Sequence, residues 1–156
     1  MKRAVKIVAI VLVAGFVVIQ FFPIDQTNPP IVAAETIEAG TVVPADISEI
    51  LGRSCVDCHS NNTRYPWYSN VQPSAWFLKD HIDEGRRELN FSVFNTYTAK
   101  KKAKKFQEIC EQLEAGEMPI PSYVWIHRDA ALSDSDRTTL CEWAKAEQAK
   151  LDAAGS

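Results

Sequence analysis

Cys55, Cys58 and His59, in the stretch CVDCHSNNTRYPWY, are two cysteines three apart with a histidine directly behind the second. Three chemistries use such a pair. A redox pair of the thioredoxin type sits in a βαβ context, and no such context surrounds Cys55. A tetrahedral zinc site draws four ligands, usually as two closely spaced pairs. Here Cys110 and Cys141 are single, and His81 and His127 stand alone. Adjacent Cys58 and His59 would also chelate one tetrahedral ion awkwardly. Haem attachment asks for this spacing directly. On one helical turn, thiols three apart reach the two vinyl groups on one porphyrin edge, and the next imidazole falls under the iron. The pattern favours one covalent haem c over zinc or a structural cysteine pair, which stand as the alternatives.

An iron held by His59 has a sixth position to fill. Met1 lies at the extreme N-terminus, so a thioether must come from Met118, in GEMPIPSY. Pro119 and Pro121 restrain the backbone of that loop, as a reproducibly placed sulfur requires. A methionine filling a gap in the core is the plain alternative. His127 is the main rival ligand and His81 the second. Trp67, Tyr68, Trp76, Phe77, Phe91, Phe94 and Trp125 supply aromatic surface for a porphyrin face. Arg64, Arg86 and Arg87 are candidates to pair with propionates, since guanidinium binds carboxylates bidentately. The second ring nitrogen of His59 needs an acceptor, for which a carbonyl between Pro66 and Pro73 is the expectation.

The elements that must position these residues read as helices. Residues 45–53, ADISEILGR, form a short helix delivering Cys55. Ser74 to Gly85 places Leu78, His81, Ile82 and Gly85 on one face. Ala99, Ala103, Phe106, Cys110 and Leu113 make a clean stripe on a third helix, with Gly116 as its stop. Lys100, Lys101, Lys102, Lys104 and Lys105 occupy the opposite face. Ser133 with Asp136 three residues on reads as a capping box. It opens a last helix that buries Leu140, Cys141, Ala144, Gln148 and Leu151. Nothing alternates convincingly at period two, so the expected fold is all-α: a small cytochrome c-like helical domain with long loops. Cys110 and Cys141 lie in the apolar stripes of two helices and either pair as a disulfide or pack as free thiols.

Ahead of that domain, Lys2, Arg3 and Lys6 precede an apolar run from Ile7 to Phe22 broken only by Gln20. With Ala4 and Val5 the segment approaches the roughly 20 residues a bilayer needs. The expectation is an N-terminal membrane helix over residues 1–22, single-pass in the inner membrane, with the rest of the chain in the periplasm. A cleaved signal leaving a soluble periplasmic protein is the alternative. Residues 23–44 carry Pro23, Pro29, Pro30 and Pro44 and read as a semi-rigid spacer, followed by the haem-binding domain at 45–152. The 156 residues hold 46% apolar and 24% charged side chains at net charge −3, which gives no reason to expect nucleic acid as a partner. With Lys2, Arg3 and Lys6 set aside, 14 basic residues face 20 acidic ones.

CVDCHSNNTRYPWYSNVQPSAW, HIDEGRRELNFS and EICEQLEAGEMPIPSYVWIHRDAALSDSDR, in that order, resemble a bacterial haem-binding domain family related to small c-type cytochromes. The resemblance covers about residues 44–146. It implies a monohaem domain with Cys55 and Cys58 as thioether links and His59 as proximal ligand, and it names no reaction. The functional expectation is an electron carrier rather than an enzyme. Such a carrier would pass single electrons between periplasmic or membrane redox partners, docking through the lysines at 100–105. The alternative is a sensor or peroxidase-like domain with an open sixth iron position.

Overall fold

The structure, a computed structural model, describes residues 1–154. Eight helical segments follow in order: α1 (Lys2–Ile19), α2 (Ile37–Gly40), α3 (Ala45–Ser54), α4 (Val56–His59), α5 (Ser74–Glu88), α6 (Ala99–Ala115), α7 (Pro121–Ile126) and α8 (Asp134–Ala154). No strand occurs among the described residues, and the all-α expectation holds.

The long pair α6 and α8 forms the frame. Thr98 caps α6 by accepting from the Lys101 amide, and Gly116 ends it in the left-handed region at φ 70°. Between those ends Ala103, Phe106, Cys110 and Leu113 are buried as the stripe requires. On α8, Ser133 and Asp136 close the expected box: the Ser133 amide donates to Asp136 (2.8 Å) and the Asp136 amide to Ser133 Oγ (3.1 Å). The Arg53 guanidinium sits 2.7 Å from the same carboxylate and ties α3 to this cap. That contact, the Ser133 hydroxyl donating to Asp136 Oδ2 (2.7 Å) and the Ser133 amide hold the Asp136 carboxyl down to about 2. Cys110 and Cys141 are joined in a disulfide, which locks α6 to α8. Phe106 packs edge-on against Phe94 and Trp143, at 5.1 and 5.3 Å between ring centres. Trp143 is buried where the sequence pattern pointed to Gln148 and Leu151, which are only half-buried. Ile47, Ile50 and Leu51 of α3 complete this core. A second, smaller cluster joins Tyr68 to Leu78 and Ile82 of α5.

Two expectations for the N-terminal region change. Helix α1 has 18 residues and buries none of them. At 1.5 Å per residue it is about 27 Å long, and Lys2, Arg3 and Lys6 occupy its first turns. No described helix is long and apolar enough to cross a membrane. The apolar run does not continue as helix through Phe22, because the chain turns there. The Phe22 carbonyl accepts from Gln72 Nε2 (2.9 Å) and Trp76 Nε1 (3.0 Å). Nor does the proline-rich stretch act as a free spacer. Gln26 and Asn28 donate to the carbonyls of Ser69 and Thr63, and Asn61 donates to that of Pro30. Ile37 is 1% exposed and its amide donates to the Phe91 carbonyl. Residues 23–32 have no regular structure and α2 follows them, and the polar and apolar side chains of the stretch lay it along the domain surface.

Candidate functional site

The site begins where α3 stops. At Cys55 the backbone leaves the helix (φ −129°, ψ −39°), and one new turn, α4, carries Cys58 and His59. The His59 amide bonds the Cys55 carbonyl at 2.9 Å, so the two residues share one side of the turn. Helix α5 crosses this turn at Gly85. A Cβ there would stand 2.8 Å from the Cys58 carbonyl oxygen and 3.2 Å from Cys58 Cβ. Only glycine permits that approach.

Close crossing has a consequence for His59. Two carbonyls at the end of α5 serve the imidazole: that of Leu89, beyond the last turn, and that of Gly85, which also accepts the Leu89 amide at 2.9 Å. His59 Nδ1 lies 3.0 Å from the carbonyl oxygens of both Gly85 and Leu89. Two acceptors require Nδ1 to carry the proton, which leaves Nε2 as a bare donor atom for a metal. Burial lowers the pKa of His59, against the opposing pull of the two carbonyls, and favours this neutral form. The expected acceptor in the Pro66–Pro73 loop is therefore replaced by the end of α5, which proximity in sequence does not reveal.

Cys55 and His59 face a cavity of about 450 Å³, within the range of small-molecule and cofactor sites. Helix α3 contributes Leu51 and Ser54, and α6 contributes Lys105, Ile109 and Leu113. The loop after α6 contributes Met118 and Pro119. Most of the wall is apolar. Glu88, Glu108, Glu111 and Gln112 stand at its edge; Ser54 Oγ is buried with no hydrogen-bond partner, and Lys105 Nζ lies 2.6 Å from Glu108 and 3.7 Å from Glu88. Lys105 is thus not part of the exposed lysine face. It is 9% exposed, because α6 turns it under Glu88 of α5. Lys100, Lys101 and Lys104 are exposed as expected.

Of the residues singled out by sequence, Cys55, His59, Met118 and Phe91 line this cavity together. Cys58 is half-buried on the neighbouring side of the turn, packed with Tyr65, Tyr68, Leu78 and Ile82. Burial pushes the Cys55 thiol up to about 12 and that of Cys58 to about 11, and neither forms a disulfide. Tyr68 is buried in the second cluster, with its hydroxyl 2.8 Å from His127 Nε2. That contact engages the ring of the main rival ligand away from the cavity. His81, the other rival, holds the Phe77 carbonyl at 2.8 Å. Trp67 and Trp125 are 77% exposed, and Trp76, Phe77 and Phe94 also lie off the cavity wall.

The arginines serve the polypeptide. Arg64 donates from Nε and its amide to Asp57 at 3.2 Å. Arg86 donates to the Ser60 carbonyl, Asn28 Oδ1 and Thr63 Oγ1 at 2.7–2.9 Å. Arg87 lies 4.0 Å from Glu84. Arg86 therefore pins the loop after His59, and a knot of Asn61, Asn90 and Ser92 continues that restraint. Asn90 Nδ2 donates to Asn61 Oδ1 (2.8 Å), and the Asn61 amide donates to Ser92 Oγ (2.9 Å). Gly85, Ser54 and Lys105 are the site residues that sequence reading missed. Gly85 alone left a signal, a glycine inside an otherwise regular helical face.

An all-helical domain whose histidine is presented by two carbonyls into an apolar cavity defines a protein built around a buried ligand. The chain belongs to the haem-binding domain family, whose model matches residues 14–146. That span takes in the end of α1 and the whole proline-rich stretch, which hydrogen-bonds to the domain. No curated protein and no solved structure matches the chain.

The residues present fit a haem. The cavity wall is mostly apolar, His59 offers a deprotonated Nε2, and Ser54 Oγ is a buried hydroxyl on that wall with no partner in the chain.

Proposed function

We propose that this domain is a monohaem c-type electron carrier in which Cys55 and Cys58 form the thioether links, His59 is the proximal ligand and Met118 the distal one. The observation that carries the reading is the convergence of Cys55, His59 and Met118 on one cavity, with Nδ1 of His59 committed to carbonyls. A haem held there supplies a one-electron iron couple. Around it the chain orients the imidazole through Gly85 and Leu89, excludes water with Leu51, Phe91 and Leu140, and offers a soft sulfur from Met118. Thioether ligation favours the ferrous state and raises the potential relative to two histidines. A filled sixth position suits electron transfer better than gas binding or peroxide chemistry. In support, no histidine other than His59 lines the cavity.

Export is part of the same proposal. The Cys110–Cys141 bridge belongs in an oxidising compartment, and haem c is attached outside the cytoplasm. Basic residues followed by an apolar stretch, exposed along α1 through Val18 and again at Phe21 (78%) and Phe22 (61%), support attachment to the periplasmic face of a membrane through residues 4–22. Redox partners of acidic surface would meet Lys100, Lys101 and Lys104. The test is Met118→Ala. The oxidised wild-type protein should show the far-red sulfur-to-iron charge-transfer band, and the variant should lose it and bind carbon monoxide readily once reduced. A wild type without that band, already open to carbon monoxide, overturns the electron-carrier reading.

A further inference from the structure

Met118 sits on a segment that packs poorly. None of the six residues of α7 is buried, and Trp125 and Ile126 are 77% and 54% exposed. A helix so short does not hold itself, so the segment keeps its place through ties to other elements. Arg137 Nη1 donates to the carbonyls of Leu113 (3.0 Å) and Met118 (3.5 Å). Arg53 Nη1 donates to those of Asp129 (3.3 Å) and Ala131 (3.0 Å). The Tyr68 hydroxyl meets His127. The Tyr123 hydroxyl donates to Asp57 Oδ2 at 2.8 Å.

The Tyr123 tie differs from the others in its target. Asp57 stands between the two cysteines of the attachment turn, so this bond joins the segment that carries Met118 directly to the turn that carries His59. Both ends are braced. The Tyr123 ring stacks on His127 at 4.4 Å and 22°, and Asp57 Oδ1 is held by the amide and Nε of Arg64. Only four residues lie between Met118 and Tyr123, and two of them, Pro119 and Pro121, stiffen the link. A shift at Tyr123 is therefore passed to the sulfur instead of being absorbed by the loop.

We propose that Tyr123 is a positioning residue for the sixth ligand: its hydrogen bond to Asp57 fixes the Met118 segment against the His59 turn, so that sulfur and imidazole stay opposed across one cavity. The inference rests on the reading of Met118 as a ligand. In this arrangement the middle residue of the Cys-x-x-Cys-His motif does the work of aligning the opposite side of the site.

The test is competition by imidazole for the sixth position of the oxidised holoprotein, read by the shift of the Soret band, in wild type, Tyr123→Phe, Asp57→Asn, the double variant and Met118→Ala. Phenylalanine keeps the stacking on His127 and removes only the hydroxyl. A hydrogen bond to a charged partner contributes enough that its loss should tighten apparent imidazole binding on the order of tenfold. Asp57→Asn should act in the same direction, and the double variant should add little to either single change. Hydrogen exchange of residues 118–124 in the haem-free chain should also speed up in Tyr123→Phe. Wild-type imidazole affinity in Tyr123→Phe overturns the proposal while leaving Met118 in place. A Met118→Ala variant that binds imidazole no more tightly than wild type removes the premise instead, and the two failures are distinguishable in the same titration.

Discussion

Alanine at Gly85 would separate the stability of the fold from the geometry of His59. The new Cβ would stand 2.8 Å from the Cys58 carbonyl oxygen and must retreat by about 0.6 Å to reach ordinary contact at 3.4 Å. Its neighbour is backbone, so it cannot swing aside as a flexible side chain would. Overpacking of this kind costs about 1–3 kcal/mol, while replacing glycine inside a helix returns roughly 1 kcal/mol. The net loss of stability is therefore small, about 0–2 kcal/mol. Retreat of α5 has a larger effect on the site. The two His59 Nδ1 contacts stand at 3.0 Å, and a similar lengthening takes them past the limit of a hydrogen bond. Loss of such supporting partners typically costs 10–100-fold in ligand affinity. The assay is urea unfolding together with the low-spin fraction of the oxidised spectrum and haem content per chain, with Gly52→Ala as control. Gly52 has nothing within 4 Å of its virtual Cβ, so that change should stabilise α3 by about 0.5–1 kcal/mol and leave haem content alone. Equal stabilisation in Gly85→Ala, with full haem content and an unchanged spectrum, would refute the reasoning.

Two further outcomes follow from the frame of the fold. The carboxyl of Asp136 is held down to about 2 by Arg53 and Ser133, below its unfolded value near 3.9. Its contribution to stability is therefore present above the unfolded value and lost as pH falls through the window from about 4 to about 2. Urea midpoints measured between pH 5 and pH 2 should fall less steeply in Asp136→Asn than in wild type, and parallel curves would contradict the assignment. The Cys110–Cys141 bridge closes a loop with a sequence separation of 31, which in the chain-entropy account is worth about 3–4 kcal/mol. The double alanine variant should lose that much in urea unfolding, and reductant should lower the melting temperature of wild type but not of the variant.

What the sequence made legible was local. The α6 stripe with Gly116 at its end and the Ser133–Asp136 box are patterns spanning one or two turns, and they form as read. The cysteine spacing places Cys55 and His59 on one turn, and Met118, directly before Pro119, lies on the wall of the same cavity. What stayed hidden depends on which elements meet. Lys105 looks like one more solvent-facing lysine until α5 brings Glu88 across it. Arg86 looks like a propionate partner until Asn28, far away in sequence, arrives to accept its proton. Residues 23–32 run extended among the prolines, but α2 follows within the same stretch, and the surface it lies along is set by Ile37 and Asn28. The acceptor for His59 came from a helix end 26 and 30 residues away. The N-terminal run showed its polarity in sequence, while its helical length was decided by the turn at Gln20–Phe22, where Gln72 and Trp76 capture the chain.

The central claim is that Cys55 and Cys58 hold a haem covalently above His59. Its most direct test is the intact mass of the denatured polypeptide, produced in cells that carry out c-type haem attachment and then extracted with acidified organic solvent. The account predicts the polypeptide plus one haem, resistant to extraction, with an α band that moves to longer wavelength in Cys58→Ala as one vinyl group stays conjugated. A bare polypeptide mass, with the haem recovered in the organic layer, would contradict it.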